Sequence, residues 1–401
     1  MSARLDRPLR IDIAGGSIGG LTAAVLLHEL GHDVHVFERS SAALKDRGAG
    51  IVVLPITERY VTQRGSALGE AVDGASDVAL TLTNYEYIDS FGNTANSVAT
   101  YNRLGSWNTL YRALLEAFPH DRYHLSHAVT MVAQTEDQVT LTFADGKHHE
   151  CDLLVAADGM SSTVRNIVSP HTTIDYAGYI AWRGTIQEGD LSPAAARAFA
   201  DAVVYQVLDH SHILAYAIPG DDNSTKPGRR ALNWVWYRNA TLAEYKDIMV
   251  DRDGLQRFAT MPPGFAQARF VDELRSEASS VLARAFADTV LACEEPFAQA
   301  IFDMSADRFV HGRIVLMGDA ATVVRPHAAA GSAKACADAW ALRDHLEVGD
   351  SLNAALGAWE AQQIELAQTV AARSRRMGDS AQKNATMKVG DPEWRFGLFG
   401  P

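Results

Sequence analysis

The sequence predicts an α/β fold, with a βαβ core drawn from both ends of the chain, a β-rich insert between them and helices at the C-terminus. Three observations predict it. A glycine-rich turn joins a strand pattern to a helix pattern in DIAGGSIGGLTAAVLLHELGHDVHVFERS, Asp12 to Ser40. Two short apolar runs, Leu153–Ala157 and Ile314–Met317, each end in an aspartate beside a glycine. Residues 176–240 change to aromatic, strand-forming sequence broken by Gly, Pro and Asn turns.

Taken in order, residues 10–40 read as strand, turn, helix and strand. Ile11 and Ile13 precede the glycines, Leu21–Leu30 form the helix with Gly31 as its stop, and Val34–Phe37 form the second strand. Residues 108–118 (NTLYRALLEAF) read as a helix, and 125–143 as two or three alternating strands closed by an Asp145-Gly146 turn. The segments YIAWRGTI, AVVYQVL, HILAYAIPG and ALNWVWYR make the sheet of the insert. The pattern turns helical from about 242 to 287 with a break at Pro262-Pro263-Gly264, and two long helices follow from 333 to 377, the second ended by Gly378.

Composition narrows the function. A chain of 401 residues, 47% hydrophobic and 21% charged, can bury one large core or two ordinary ones. Its formal charge of −13 repels phosphate backbones and anionic lipid heads, so small molecules are the expected partners rather than nucleic acid or membrane. The three cysteines, Cys151, Cys293 and Cys336, are too far apart for a C-x-x-C metal or redox pattern and too few for a disulfide framework. With no apolar leader and no uncharged run of about 18 residues, a cytoplasmic protein without a metal is expected, a homodimer by general prior.

The turn Gly15-Gly16-Ser17-Ile18-Gly19-Gly20 departs from the dinucleotide fingerprint G-x-G-x-x-G by serine at its second glycine. That glycine lets the backbone approach a pyrophosphate; serine is the smallest substitute, and its hydroxyl can itself donate to a phosphate oxygen. The helix N-terminus remains an anion site. Glu38 follows the second strand 23 residues after Gly15, where a carboxylate accepts from ribose hydroxyls and disfavours a 2′-phosphate. Asp158-Gly159 and Gly318-Asp319 end two further strand patterns, so three strand ends converge on one crevice.

These motifs, in this order, resemble the single-component FAD-dependent aromatic hydroxylases built like p-hydroxybenzoate hydroxylase, from Ile11 to about Ala371. The wording GGSIGGL, ERS, YIAWRG and RPHAAAGSAKACADAW is most similar to the pyridine-ring hydroxylases of that family, which also carry serine at position 17. Thr322 stands where the family commonly has the histidine of GDAAH, and against its P-x-x-G-Q-G-x-N-x-G pattern the chain has Ala329, Ala330, Gly331, Ala333 and Ala335, of which only Gly331 matches.

The resemblance implies an FAD-binding domain from residues 1–175 and 288–401 and a β-rich substrate domain at 176–287. It further implies that Gly15, Ser17, Ile18 and Gly20 hold the FAD pyrophosphate, Glu38 and Arg39 the adenosine end, and Arg112 a phosphate. Arg47-Gly48 pass near the flavin, Asp319 contacts the ribityl chain, and Pro326, Ala329, Gly331 and Ser332 shape the isoalloxazine loop. Asp158 is linked to both flavin and nicotinamide. The implied reaction is hydroxylation of an activated ring, such as 2,6-dihydroxypyridine, by a flavin hydroperoxide formed with NADH or NADPH and molecular oxygen.

An activated ring loses a hydroxyl proton, so a base or relay is expected. His210, His212 and Tyr216 share strand parity and form one candidate face, with Tyr205 on the preceding strand. His327 beside the flavin loop is a second candidate base, and Trp182 and Arg183 are candidate wall residues. Two other readings stay open: a flavin oxygenase of this fold acting on a hydroxybenzoate, uric acid or a non-aromatic compound, and a non-catalytic flavin-binding protein. Replacing Ser17 by Gly should weaken FAD binding by under about 1.5 kcal/mol, the net worth of one hydrogen bond; a fluorescence titration giving tighter binding would make serine a cost at this position.

Overall fold

The computed structural model describes residues 8–44, 50–67 and 79–400. The chain begins with β1 (Arg10–Ala14), α1 (Ile18–Glu29), β2 (Asp33–Phe37), β3 (Gly50–Val52), α2 (Pro55–Ala67), β4 (Ala79–Ile88) and β5 (Thr94–Ser106). Next come α3 (Trp107–Ala117), β6 (Tyr123–His124), β7 (Val129–Gln134), β8 (Val139–Phe143), β9 (His148–Cys151), β10 (Leu153–Ala156) and α4 (Thr163–Val168). The middle holds β11 (Asp175–Gln187), α5 (Pro193–Ala198), β12 (Ala202–Leu208), β13 (Ser211–Ile218), β14 (Ala231–Asn239), α6 (Leu242–Ile248), α7 (Ala268–Val281) and α8 (Arg284–Ala292). It ends with β15 (Phe297–Ser305), β16 (Val310–His311), β17 (Ile314–Leu316), β18 (Thr322–Val323), α9 (Gly331–Val348) and α10 (Leu352–Gly378).

Two sheets carry the architecture. The first has the order β16-β17-β10-β1-β2-β6, parallel except for β16. Its strands are short apolar runs buried on both faces, as a covered parallel sheet requires. Helix α1 is Ala- and Leu-rich and buried nearly all round, so it serves as a core element. The meander β7-β8-β9 forms a small sheet of its own.

The second sheet has nine strands, β18-β15-β11-β14-β13-β12-β4-β5-β3. It is not confined to 176–287: β3, β4 and β5 join from the N-terminal segment, and β15 and β18 from the C-terminal one. One face, with Trp182, Ile213, Trp234 and Trp236, packs on Phe270, Leu274 and Phe286 of α7 and α8. The other, with Tyr179, Leu214, Tyr216, Val235 and Tyr237, meets Ala328 and Ala330 and the end of α10. Trp182 therefore lies on the helix-covered face and is not a wall of the site, because successive residues of a strand point to opposite sides. Among the described residues no helix is long and apolar enough to cross a membrane.

Gly378 does not stop its helix. Its φ is −60°, and the chain continues through a π-helical turn, Asp379–Lys383. The glycine is there for space, since a Cβ would come within 2.6 Å of the Tyr179 hydroxyl, 2.9 Å of Arg325 Nη1 and 3.0 Å of His327 Cδ2. Gly357 on the same helix meets nothing within 4 Å. Gly357→Ala should thus stabilise by about 0.5–1 kcal/mol through helix propensity, whereas Gly378→Ala should destabilise by roughly 1–3 kcal/mol through overpacking. Denaturant unfolding of the two variants measures both signs.

Candidate active site

The parallel strands end side by side. Ala14 lies opposite Phe37 and Ala156, and Ala156 opposite Leu316, so the turns after β2, β1, β10 and β17 form one rim. Gly15 has φ +102°, and its N–H donates to the Phe37 carbonyl at 2.9 Å; a Cβ there would lie 2.3 Å from the Ala157 carbonyl oxygen. A Cβ on Gly20 would sit 2.0 Å from the Gly15 carbonyl, so strand and helix touch through backbone alone. Ser17 is the N-cap of α1 in extended conformation and makes no side-chain cap bond. The first N–H groups of α1, beginning at Ile18, have no acceptors within the helix and face the rim.

Glu38 is buried at the end of β2. Its Oε2 accepts from Gly16 N at 3.0 Å and its Oε1 from Ser40 N at 2.9 Å, which fixes the carboxylate across the glycine turn. Arg39 beside it and Arg112 on α3 are exposed. The expected Arg47-Gly48 contact lies outside the described residues. Tyr123, which nothing in the local sequence singled out, donates from its hydroxyl to the Gly16 carbonyl at 3.0 Å and fills the space above that glycine.

On the opposite side of the rim stand the two aspartates. Asp158 Oδ2 accepts from Val164 N at 3.2 Å, while Oδ1 is buried with no partner in the protein. Burial raises its pKa, opposed by the Ser162 and Val164 hydrogen bonds. Asp319 is exposed to the crevice, yet protein surrounds it closely enough that desolvation raises its pKa, with Lys334 opposing and Asp338 adding to the rise. Arg165, unforeseen from the sequence, is fully buried between these turns and donates to the Met160 carbonyl at 2.6 Å and the Ala320 carbonyl at 3.4 Å.

The loop before α9 completes the crevice. Pro326 opens a 3-10 turn, Ala329 adopts φ +53° with its N–H on the Pro326 carbonyl at 2.8 Å, and Gly331 and Ser332 begin the helix. A Cβ on Gly331 would meet nothing within 4 Å, so that position faces open space. Two helix N-termini, an open glycine, an unpartnered Asp158 oxygen and the Asp319 carboxylate fit a dinucleotide with a ribityl chain and a flat ring. The residues present fit FAD.

Cross-strand register defines the neighbouring sheet face in three rows: Thr185, Asn233 and Tyr216; Arg183, Val235 and Leu214; Ala181, Tyr237 and His212. Arg183 donates from Nη1 to Gln299 Oε1 at 3.0 Å, but its Nε is buried without a protein partner. Asn233 accepts from Gly50 N at 3.1 Å, and its Nδ2 is likewise unpartnered. Tyr216 donates to the Gly50 carbonyl at 3.3 Å, and its own pKa is pushed up to about 12 by burial. Tyr205 extends the middle row beside Leu214 and stacks on Tyr87 at 5.3 Å.

Of the candidate bases, His210 departs from expectation. It sits in the turn before β13 at φ +52°, half exposed, with Nδ1 3.2 Å from the Gln382 carbonyl, because the positive-φ turn ends strand parity before it. His212 is on the face as expected but packed behind Tyr237 at 4.6 Å, accepting on Nδ1 from Gln382 Nε2 at 3.2 Å; burial lowers its pKa to about 3. His327 is held well below its ordinary value by burial, then by His212 and Arg325, and its Nε2 lies 2.8 Å from the Tyr179 hydroxyl. Arg325 anchors this corner, binding Asp303 at 2.6 Å and Asp379 at 2.8 Å beneath Tyr179.

A dinucleotide crevice opening onto a polar, aromatic sheet face is the architecture of a flavin monooxygenase. Residues 176–303 match the FAD binding domain-like family and residues 262–372 the FAD binding domain family. The sequence is 35% identical to 2,6-dihydroxypyridine 3-monooxygenase of Paenarthrobacter nicotinovorans over 97% of this chain and 96% of that one. The structure superposes on that of 2,6-dihydroxypyridine-3-hydroxylase from Arthrobacter nicotinovorans with a TM-score of 0.91 at 33% identity, covering 98% and 97% of the two chains. A 3-amino-4-hydroxybenzoate 2-monooxygenase of Streptomyces platensis is 27% identical over 93% of this chain and 88% of its own. The chain belongs to the FAD-dependent aromatic monooxygenases of p-hydroxybenzoate hydroxylase-like fold, the family that includes 2,6-dihydroxypyridine 3-monooxygenase.

The purified protein should be yellow, with one noncovalent FAD per chain. Asp319→Ala should weaken FAD binding by roughly 1.5–3 kcal/mol, the worth of a hydrogen bond to a charged group. Titration of the apoprotein with FAD checks this, and unchanged affinity would remove Asp319 from the ribityl contact.

Proposed function

We propose that this enzyme hydroxylates an electron-rich hydroxypyridine, 2,6-dihydroxypyridine or a close analogue, with NADH or NADPH as electron donor. The observation that carries the reading is the pair of buried donors without protein partners, Arg183 Nε and Asn233 Nδ2, on one sheet face beside the flavin loop. Unpartnered buried donors are costly unless a ligand oxygen meets them, and a ring with two oxygens offers two acceptors. The pyridine substrate named for the similar enzyme of Paenarthrobacter nicotinovorans has that character.

FAD, when bound, would supply the redox chemistry that couples nicotinamide oxidation to the reduction of dioxygen, one oxygen atom going to the ring and the other to water. The chain's own groups bind and orient. The α1 N-terminus and Ser17 hold the pyrophosphate, Glu38 the adenosine end and Asp319 the ribityl chain, while Pro326, Ala329, Gly331 and Ser332 border the flavin ring. Arg183 and Asn233 fix the substrate oxygens; Arg183's charge favours the ring anion, in which the carbon to be hydroxylated is more nucleophilic. Val235, Leu214 and Tyr237 keep water from the reacting carbon.

The proton released on ring ionisation has an acceptor in the pair His327 and His212, whose rings lie 5.3 Å apart, with Tyr216 further along the same face. Both histidines are neutral at physiological pH, so they serve as hydrogen-bond acceptors in a relay and not as stored charge. Arg183 also supports a second reading, a ring bearing a carboxylate. The free cysteines are all buried, which fits the cytoplasmic location we propose.

A stopped-flow screen of hydroxypyridines, hydroxybenzoates and uric acid tests the substrate class: hydroxypyridines should accelerate flavin reduction and be hydroxylated with NADH consumption matched to product. A hydroxybenzoate doing so in their place would sink the reading. Arg183→Met should raise the substrate Kd by roughly ten- to a hundredfold and leave FAD content unchanged.

A further inference from the structure

Lys334 and Asp338 lie one turn apart on α9, with Lys334 Nζ 2.8 Å from Asp338 Oδ2 and the two side chains 1% and 0% exposed. Full burial of a lysine and an aspartate on a helix is unusual, and it is tolerated only where the charges are paired and further hydrogen-bonded. Here the further bonds all go to one residue. Asp338 Oδ2 accepts from Gly318 N at 2.8 Å, and Lys334 Nζ reaches the Gly318 carbonyl at 3.5 Å. The Phe309 ring lies 5.5 Å from the ammonium, and Trp359 Nε1 donates to the Asp338 carbonyl at 2.9 Å, so the pair is walled in.

Gly318 is the residue before Asp319. It has φ +59° with the Cβ of Ala335 on α9 3.3 Å from where its own would stand. Its two peptide groups are gripped by opposite charges from a single helix, which determines the direction in which the chain delivers the Asp319 carboxylate. The same helix begins with Gly331 and Ser332, two or three residues before Lys334. The grip therefore joins the turn that faces the ribityl chain to the loop that borders the flavin ring.

We propose that Lys334 and Asp338 are positioning residues for the cofactor, holding Gly318 from both sides so that Asp319 is set toward the FAD ribityl chain. The inference rests on the assignment of Asp319 to that contact. A double-mutant cycle separates the two claims. FAD dissociation constants are measured by fluorescence quenching on the apoproteins of the wild type, K334M, D319A and K334M/D319A, with thermal unfolding of each apoprotein alongside.

K334M and D319A should each weaken FAD at least tenfold, and the double variant should bind no more than about threefold more weakly than the weaker single one, because a misdirected carboxylate and an absent one are equivalent. Losses that multiply in the double variant would show that the pair supports the fold generally, and would overturn the positioning role while leaving Asp319 in place. FAD binding by K334M within twofold of wild type would overturn it as well. If D319A itself binds FAD normally, the assignment of Asp319 falls and the proposal with it. Should K334M fail to fold, the isosteric D338N takes its place in the same cycle, with the same expected non-additivity and the same overturning result.

Discussion

Gly20 lies against the Gly15 carbonyl and Gly19 against the Cβ of Ala335, so α1 approaches both its strand and α9 at distances that leave no room for side chains. The rest of the cofactor half follows from that approach. With α1 and α9 in contact, their N-termini open on the same crevice, and the unsatisfied N–H groups of both contribute partial positive charge to one volume. A chain with a net charge of −13 thereby gathers partial positive charge in one crevice from backbone dipoles. The serine at position 17 is compatible with this because the tight contacts fall on its neighbours.

The nine-stranded sheet solves a different problem with its two faces. Tryptophans and aliphatic residues on one face lock it to α7 and α8, which leaves the other free to be irregular and polar. That polar face is held by ion pairs. Arg325 joins Asp303 on β15 to Asp379 after α10 under the ring of Tyr179, and the π-helical turn that follows lets Gln382 reach His212 and Asn239. A π-helical turn widens the backbone by one residue and recurs at functional positions. The geometry of that face is thus set in part by the last sixth of the chain.

What could be read from the sequence was local. The glycine turn, Glu38 and the Asp158 and Asp319 strand ends are fixed by a few neighbouring residues, and the structure brings them to one rim. Strand parity grouped His212 with Tyr216, but it failed at His210 because a positive-φ turn intervenes, and it could not say that Trp182 faces the helices. Tyr123, Arg165, Asn233 and the Lys334–Asp338 pair were invisible for a common reason. Each acts on a partner 16 or more residues away, and only packing shows that the partner is there.

The rim of the parallel sheet is also a statement about biosynthesis. β1 and β2 are made first, β10 follows more than a hundred residues later, and β17 must insert beside β10 after all of the nine-stranded sheet except β18 has been made. Pairings of such sequence separation form late, since loop closure must precede the contacts that reward it. During synthesis, β10 presents an open, apolar edge for the time needed to translate about two-fifths of the chain, which is the interval in which such edges aggregate. The crevice itself is incomplete until α9 has been made. The cofactor therefore acts on an assembled chain, and its supply bears on how much finished protein stays folded and less on how the nascent chain begins to fold.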